Sequence, residues 1–176
     1  MLGGKFMNKK NIIILILIAA IAIGAAILFY QPKSDFPQSK DQITKLAQKA
    51  QETADYAIYL PGYIPEDLHL DFRHSELGTT AMFFYNQDKN ININLLIHPL
   101  SYKEEFLKGP YVGENVYLEN IEVNNFEGKK YTKDERAGLY LEQGDTFMLI
   151  SQSVTSKKEY NHEDLIKIIE SMYIPK

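Results

Sequence analysis

The sequence contains no cysteine. That single absence removes disulfides, thiol nucleophiles and zinc-thiolate sites together, and with them a lipid anchor carried on cysteine. The usual signatures of chemistry are missing too. There is no G-x-S-x-G elbow, no Walker A loop and no dinucleotide fingerprint. The four histidines, His69, His74, His98 and His162, form no H-x-x-x-H pair. Positive charge is scarce where it would matter. The first thirty residues hold Lys5, Lys9 and Lys10 and no acid, so of 19 Lys and Arg, 16 remain from Gln31 onward against 23 Asp and Glu, a formal charge of −7. Such a domain is poorly suited to gripping phosphate backbones or anionic headgroups by charge, and nucleic acid is not expected as a partner.

One feature present in abundance is apolar length. Ile12 to Tyr30 reads IIILILIAAIAIGAAILFY, without charge or proline. As a helix it would reach roughly 28 Å, close to the thickness of a bilayer's hydrocarbon core. Lysines before it and a lone Lys33 shortly after it place the N-terminus inside and the rest outside by the positive-inside rule. The expected organisation is a basic cytoplasmic head (1–10), a transmembrane helix (11–30), a linker (31–39) and an extracytoplasmic domain (40–176). Starts at Met1 and Met7 both fit. A cleaved signal peptide is the competing reading, since small residues from Ala19 to Ala26 offer a cleavage site. The run, however, is longer than a usual signal core and ends in Ile27-Leu28-Phe29-Tyr30. Localisation is accordingly expected to be a single-pass anchor in the cell membrane. Met1 to Lys10 is too short to fold around a partner, so either any signal passes through another membrane or envelope protein, or the work is done wholly outside.

Pro32 and Pro37 keep the linker extended. Ser39 and Gln42 then have capping-box spacing, and Ile43, Leu46, Ala47 and Ala50 recur with helical period, predicting a helix over Lys40 to about Thr53. Leu60-Pro61-Gly62-Tyr63 fits a type II turn with Gly at the positive-φ place, and Pro65 opens another turn through Glu66 and Asp67. From Thr79 the period becomes two. Thr79–Tyr85 and the alternation of Ile91, Ile93, Leu95 and Ile97 with Asn90, Asn92 and Asn94 predict a hairpin around Asn86–Lys89. Val116–Val123 is a further strand, its alternation slipping at Asn120 in the manner of a bulge. Phe126-Glu127-Gly128 is expected to turn into a strand at Lys129–Thr132. Gly138–Glu142 and Thr146–Ser151 flank a turn at Gln143-Gly144-Asp145. Asn161 should cap a last helix with the stripe Leu165, Ile168, Ile169 and Met172, ended by Tyr173-Ile174-Pro175. The fold class is α+β: an antiparallel β-sheet of about six or seven strands flanked by an N-terminal and a C-terminal helix, preceded by one transmembrane helix.

Few positions invite chemistry. Asp88-Lys89-Asn90-Ile91-Asn92 resembles the start of a calcium loop, but Ile93 stands where glycine is needed and the strand pattern claims the segment. Glu66-Asp67 and Glu104-Glu105 are adjacent acids of the kind found in solvated turns. No catalytic, cofactor-binding or metal-ligating residue is assigned, no cofactor is expected, and the ligand-binding residues are unknown.

The stretch Pro61, Tyr63, Pro65, Glu66, the segment from Tyr140 through Phe147 and Leu149, and the ending Glu163, Asp164, Leu165, Lys167, Ile168, Glu170, Ser171 together resemble a bacterial family, domain of unknown function 4367. The resemblance covers roughly Tyr56 to Tyr173. Asp67 departs from it where glycine commonly stands, and the late hairpin has no Trp. It implies an extracytoplasmic module behind a single helix, in some relatives attached to anti-sigma or sporulation-related proteins, and it carries no catalytic residues to transfer. The function expected is a membrane-anchored binding or sensing module, not an enzyme, related to the cell envelope or sporulation. The alternative is a carrier or chaperone-like module whose curved sheet shelters an acyl chain or peptide, suggested by Met82-Phe83-Phe84-Tyr85, apolar on both faces. An envelope hydrolase is the third reading, and a polar cleft with His beside Asp or Glu would favour it.

Overall fold

Helix α1 (Lys40–Gln51) begins where its capping box dictates: the Ser39 hydroxyl accepts from the Gln42 N–H at 3.2 Å, and the Gln42 side chain accepts from the Ser39 N–H at 2.7 Å. The computed structural model to which this helix belongs describes residues 38–75, 78–88, 90–104 and 116–175. All lie in the second of two compact units, 37–176. The basic head, the Ile12–Tyr30 run and the linker up to Pro37 lie outside the described residues. Among the described residues no helix is long and apolar enough to cross a membrane.

Ile43, Ala47 and Ala50 of α1 are buried, while Leu46, about 60° round the helix from Ile43, stays 42% exposed. The buried stripe is thus narrower than its periodicity suggested. After α1 come β1 (Leu60–Pro61), β2 (His69–His74), β3 (Thr80–Tyr85), β4 (Ile91–Pro99) and a 3-10 turn at Leu100–Tyr102. Then follow β5 (Val116–Val123), β6 (Phe126–Lys133), β7 (Arg136–Gln143), β8 (Thr146–Gln152), helix α2 (His162–Glu170) and β9 (Met172–Tyr173).

Seven strands form one antiparallel sheet in the order β2-β3-β4-β8-β7-β6-β5. It is two meanders laid side by side. The joint is β4 against β8, so the connection after β4 runs from mid-sheet to the far edge. The α+β expectation with a sheet of this size holds. Period-two alternation sorts the side chains: Met82, Leu95, Ile150 and Leu139 stand in one cross-strand row, all with no exposed surface. Both helices lie on that face, α1 against β2 and α2 against β7 and β5. Leu165, Ile168 and Ile169 of α2 close the core. On the opposite face a smaller cluster joins Tyr131, Tyr140, Phe147 and Leu149, with Leu96 and Leu100 against it.

Four local readings need correction. The turn read at Phe126-Glu127-Gly128 lies two residues earlier, at Asn124-Asn125, with φ of +50° and +66°. Phe126 is only 3% exposed, so the core claims it for β6 and leaves the turn to short polar residues that tolerate the left-handed region. The bulge in β5 falls between Tyr117 and Glu119, not at Asn120. Leu60-Pro61 is no type II turn but β1, paired with β9. Gly62 is there for proximity: a Cβ would stand 2.8 Å from the Ser171 carbonyl oxygen, which accepts from the Gly62 N–H at 3.0 Å. Met172 likewise belongs to β9 rather than to the last turn of α2, because Ser171 already caps that helix.

Candidate functional site

The histidines are spread over the fold. His69 is exposed on β2, its ring 5.6 Å from Tyr85. His74 lies on the other face of the same strand, where its Nδ1 meets the Thr80 hydroxyl at 2.9 Å, and that hydroxyl meets Tyr56 Oη at 2.9 Å. Burial lowers the His74 pKa and raises that of Tyr56. His98 is buried on β4 with Nδ1 3.3 Å from the Thr79 hydroxyl, and desolvation pushes its pKa down to about 4. His162 Nε2 meets the Tyr131 carbonyl at 2.8 Å. Among the described residues no three His, Asp or Glu gather closely enough to hold a metal ion. Of the calcium-like segment, Lys89 lies outside the described residues, β4 begins at Ile91, and the Asn92 amide is spent on Asn90 and Ser156. Of Glu104-Glu105, Glu105 lies outside the described residues.

The aromatic strand divides its side chains between the two faces of the sheet, with Tyr85 beside the His69 ring at 5.6 Å. Met82 and Phe84 are in the core. Phe83 lies on the opposite face under the Arg73 guanidinium, whose carbon is 5.2 Å from the ring centre. Arg73 Nε in turn donates to the buried Asp71 carboxylate at 2.7 Å.

One cleft, about 770 Å³, lies at the β5-β6-β7 end of the sheet. In it Glu122, Glu127 and Glu142 stand in register across three neighbouring strands. Lys103 Nζ meets Glu142 at 2.6 Å, and this bond raises the lysine's pKa. Tyr140, Leu100 and Ile121 supply the apolar part of the wall.

A second cleft, about 460 Å³, is built by two segments far apart in sequence: Tyr63, Pro65, Glu66 and Asp67 before β2, and Lys158, Tyr160 and Asp164 around the start of α2. The near segment is pinned to the end of α2. The Tyr63 N–H donates to Ser171 Oγ at 2.8 Å across 108 residues, beside the Gly62 bond. Pro65 then turns the chain, its carbonyl accepting from the Leu68 N–H at 2.9 Å. The far segment is set by α2's capping box. Asn161 Oδ1 accepts from the Asp164 N–H at 3.0 Å and Asp164 Oδ2 from the Asn161 N–H at 3.1 Å. Upstream, the Lys158 carbonyl accepts from Gln152 Nε2 at 2.7 Å and Ser156 Oγ at 2.6 Å. The Lys158 ammonium reaches both oxygens of Asp67, at 3.1 and 3.2 Å, and sits 5.2 Å from the centre of the Tyr160 ring. That bond to Asp67 raises the lysine's pKa.

In the sequence Tyr63 reads as the end of a turn and Glu66-Asp67 as a solvated turn. Lys158 and Tyr160 sit in no periodic pattern, and long-range contacts such as the pairing of β1 with β9 bring the two halves together.

The family described as "Domain of unknown function (DUF4367)" matches residues 58–172. The match takes in both segments of the second cleft. No curated protein and no solved structure matches.

Proposed function

This chain belongs to the DUF4367 family, and we propose that its domain is a non-catalytic binding or sensing module, held outside the cell membrane by the Ile12–Tyr30 helix and working at the cell envelope or in sporulation. The observation that supports the binding reading is the second cleft. Tyr63, Pro65, Glu66 and Asp164, all from the stretches that carry the family resemblance, line one concavity of about 460 Å³, within the range of ordinary ligand sites. No histidine lines it, and two of its three carboxylates, Asp67 and Asp164, are engaged by Lys158 and the α2 cap, so the walls suit recognition rather than acid–base turnover. Of the aromatic strand's rings, Phe84 faces the core, Phe83 lies under Arg73 and Tyr85 stands beside His69, and none of the three lines this cleft.

Two experiments test this. Protease added to intact spheroplasts should remove the domain, and protection would overturn the topology. A photo-crosslinking residue at Tyr63 of the full chain, irradiated in intact cells, should give a discrete adduct that the same residue at exposed Leu46 does not. Equal labelling at the two positions would overturn the site.

A further inference from the structure

We infer that β2 is a docking edge for a second copy of this chain, whose own β2 pairs with it antiparallel about a two-fold axis at Phe72 once the Gln38 side chain swings aside. The Phe72 N–H and carbonyl point away from β3, and the Gln38 amide meets both, at 3.0 and 3.4 Å. Every second residue of a strand turns its backbone groups the same way, so Leu70 and His74 also direct theirs outward. Among the described residues nothing pairs with those four groups.

Edge strands are usually guarded by proline, lysine or a bulge. The edge at β5 has a bulge between Tyr117 and Glu119 and exposed acids at Glu119 and Glu122. β2 has no proline and no lysine, and it keeps an unbroken register with β3 from His69 to His74. What stands against pairing there is the Gln38 amide, which copies a single peptide group of a neighbouring strand.

The strand's own sequence names the occupant. Laid antiparallel on itself about Phe72, HLDFRH sets Asp71 opposite Arg73 twice and Leu70 opposite His74 twice. Opposite charges directly across a strand pair favour it and like charges oppose it. Centring the pair on Asp71 or on Arg73 would set like charges face to face, which leaves Phe72 as the centre. Within each chain Arg73 already bonds Asp71 at 2.7 Å, and its side chain is 39% exposed and able to reach across. Four charges of alternating sign would then meet on one face of a continuous sheet, joined by an isologous interface.

Sedimentation equilibrium of the full chain in density-matched detergent should show a reversible dimer. Gln38→Ala removes two internal competitors per dimer, each worth about fivefold, so it should pair about thirtyfold more tightly. His74→Pro deletes an outward N–H and leaves the β3 ladder intact, so it should weaken pairing about tenfold or more, while His74→Gln should not. A chain that stays single at every concentration would overturn the proposal, as would a dimer that tolerates His74→Pro, the behaviour of one held by membrane helices. If His74→Pro does not fold, hydrogen exchange of the parent decides. Its Leu70 and His74 amides should exchange more slowly as concentration rises, and exchange independent of concentration would overturn the proposal. In dilute, unpaired Gln38→Ala the Phe72 amide exchanges fast, and concentrating the variant should protect it again. A photo-crosslinking residue at Arg73, irradiated in intact cells, should join chain to chain, whereas adducts with other polypeptides alone would rule out the second copy.

Discussion

Gln38 covers the edge of the sheet at Phe72. Its Oε1 accepts from the Phe72 N–H at 3.0 Å and its Nε2 donates to the Phe72 carbonyl at 3.4 Å, so one side-chain amide does what a neighbouring strand's peptide group would do. Phe72 lies on β2, the outer strand at that end of the sheet, where unpaired backbone groups invite pairing with another chain. Gln38→Ala should cost about 1 kcal/mol, the usual net worth of such a bond. It should lower Tm by a few degrees and speed hydrogen exchange at the Phe72 amide. An unchanged exchange rate there would show that the amide does not protect the edge.

On the opposite face of the sheet the Tyr131 ring lies on Gly138, its cross-strand partner. A Cβ built at Gly138 would stand 2.2 Å from the ring carbon Cζ. Tyr131 has little room to retreat, being 2% exposed and packed with Tyr140, Phe147 and Leu149. Gly138→Ala should therefore destabilise by about 1–3 kcal/mol through overpacking. Tyr131→Ala alone should cost about 3 kcal/mol or more. The two should not add: with the ring gone, the methyl has space, and the double variant should melt close to Tyr131→Ala. Additive losses in a double-mutant cycle would show that ring and glycine do not touch.

The β6–β7 turn is made by Asp134 and Glu135, at φ of +49° and +64°. Left-handed backbone costs a residue with a side chain about 1–2 kcal/mol, while glycine's extra freedom in the unfolded chain costs roughly 0.5–1 kcal/mol. The first outweighs the second, so Glu135→Gly should stabilise by about 0.5–1 kcal/mol and raise Tm without altering the far-UV spectrum. A fall in Tm would mean that the Glu135 side chain makes a stabilising contact.

This turn also explains what was readable in the sequence. The Ser39–Gln42 capping box, the Asn161 cap, the β3–β4 and β7–β8 hairpins and the Ile–Asn alternation of β4 are local patterns, and each formed as its chemistry dictates. The two I′-like turns contain no glycine, so the strongest hairpin signal was missing at Asn124-Asn125 and at Asp134-Glu135. The β1–β9 pair joins two strands of two residues each, too short for any period, and Gly62 reads as a turn glycine unless Ser171 is known to lie against it. The cleft depends on that same distant pairing. Asp67 and Lys158 stand 91 residues apart, and no local pattern foretells their contact.

His98 should make the fold sensitive to mild acid. The unfolded chain protonates a histidine near its ordinary value of 6.5, whereas desolvation lowers the native His98 to about 4. Between those values the unfolded state binds more protons than the native state, so stability must fall as pH falls. The contribution is fully present above the unfolded value and is lost progressively down to about pH 4. The part lost between pH 7.5 and pH 5 is roughly 2 kcal/mol. Most carboxylates remain ionised at pH 5, which keeps their titration out of that interval. His98→Gln retains a polar group able to meet the Thr79 hydroxyl but has nothing to protonate. Its own stability at pH 7.5 matters less than its slope. Urea melts of both proteins at pH 7.5 and pH 5 should give the parent a drop about 2 kcal/mol larger than that of the variant. Equal drops would place the acid sensitivity in another group and His98 in a wetter site than its 2% exposure describes.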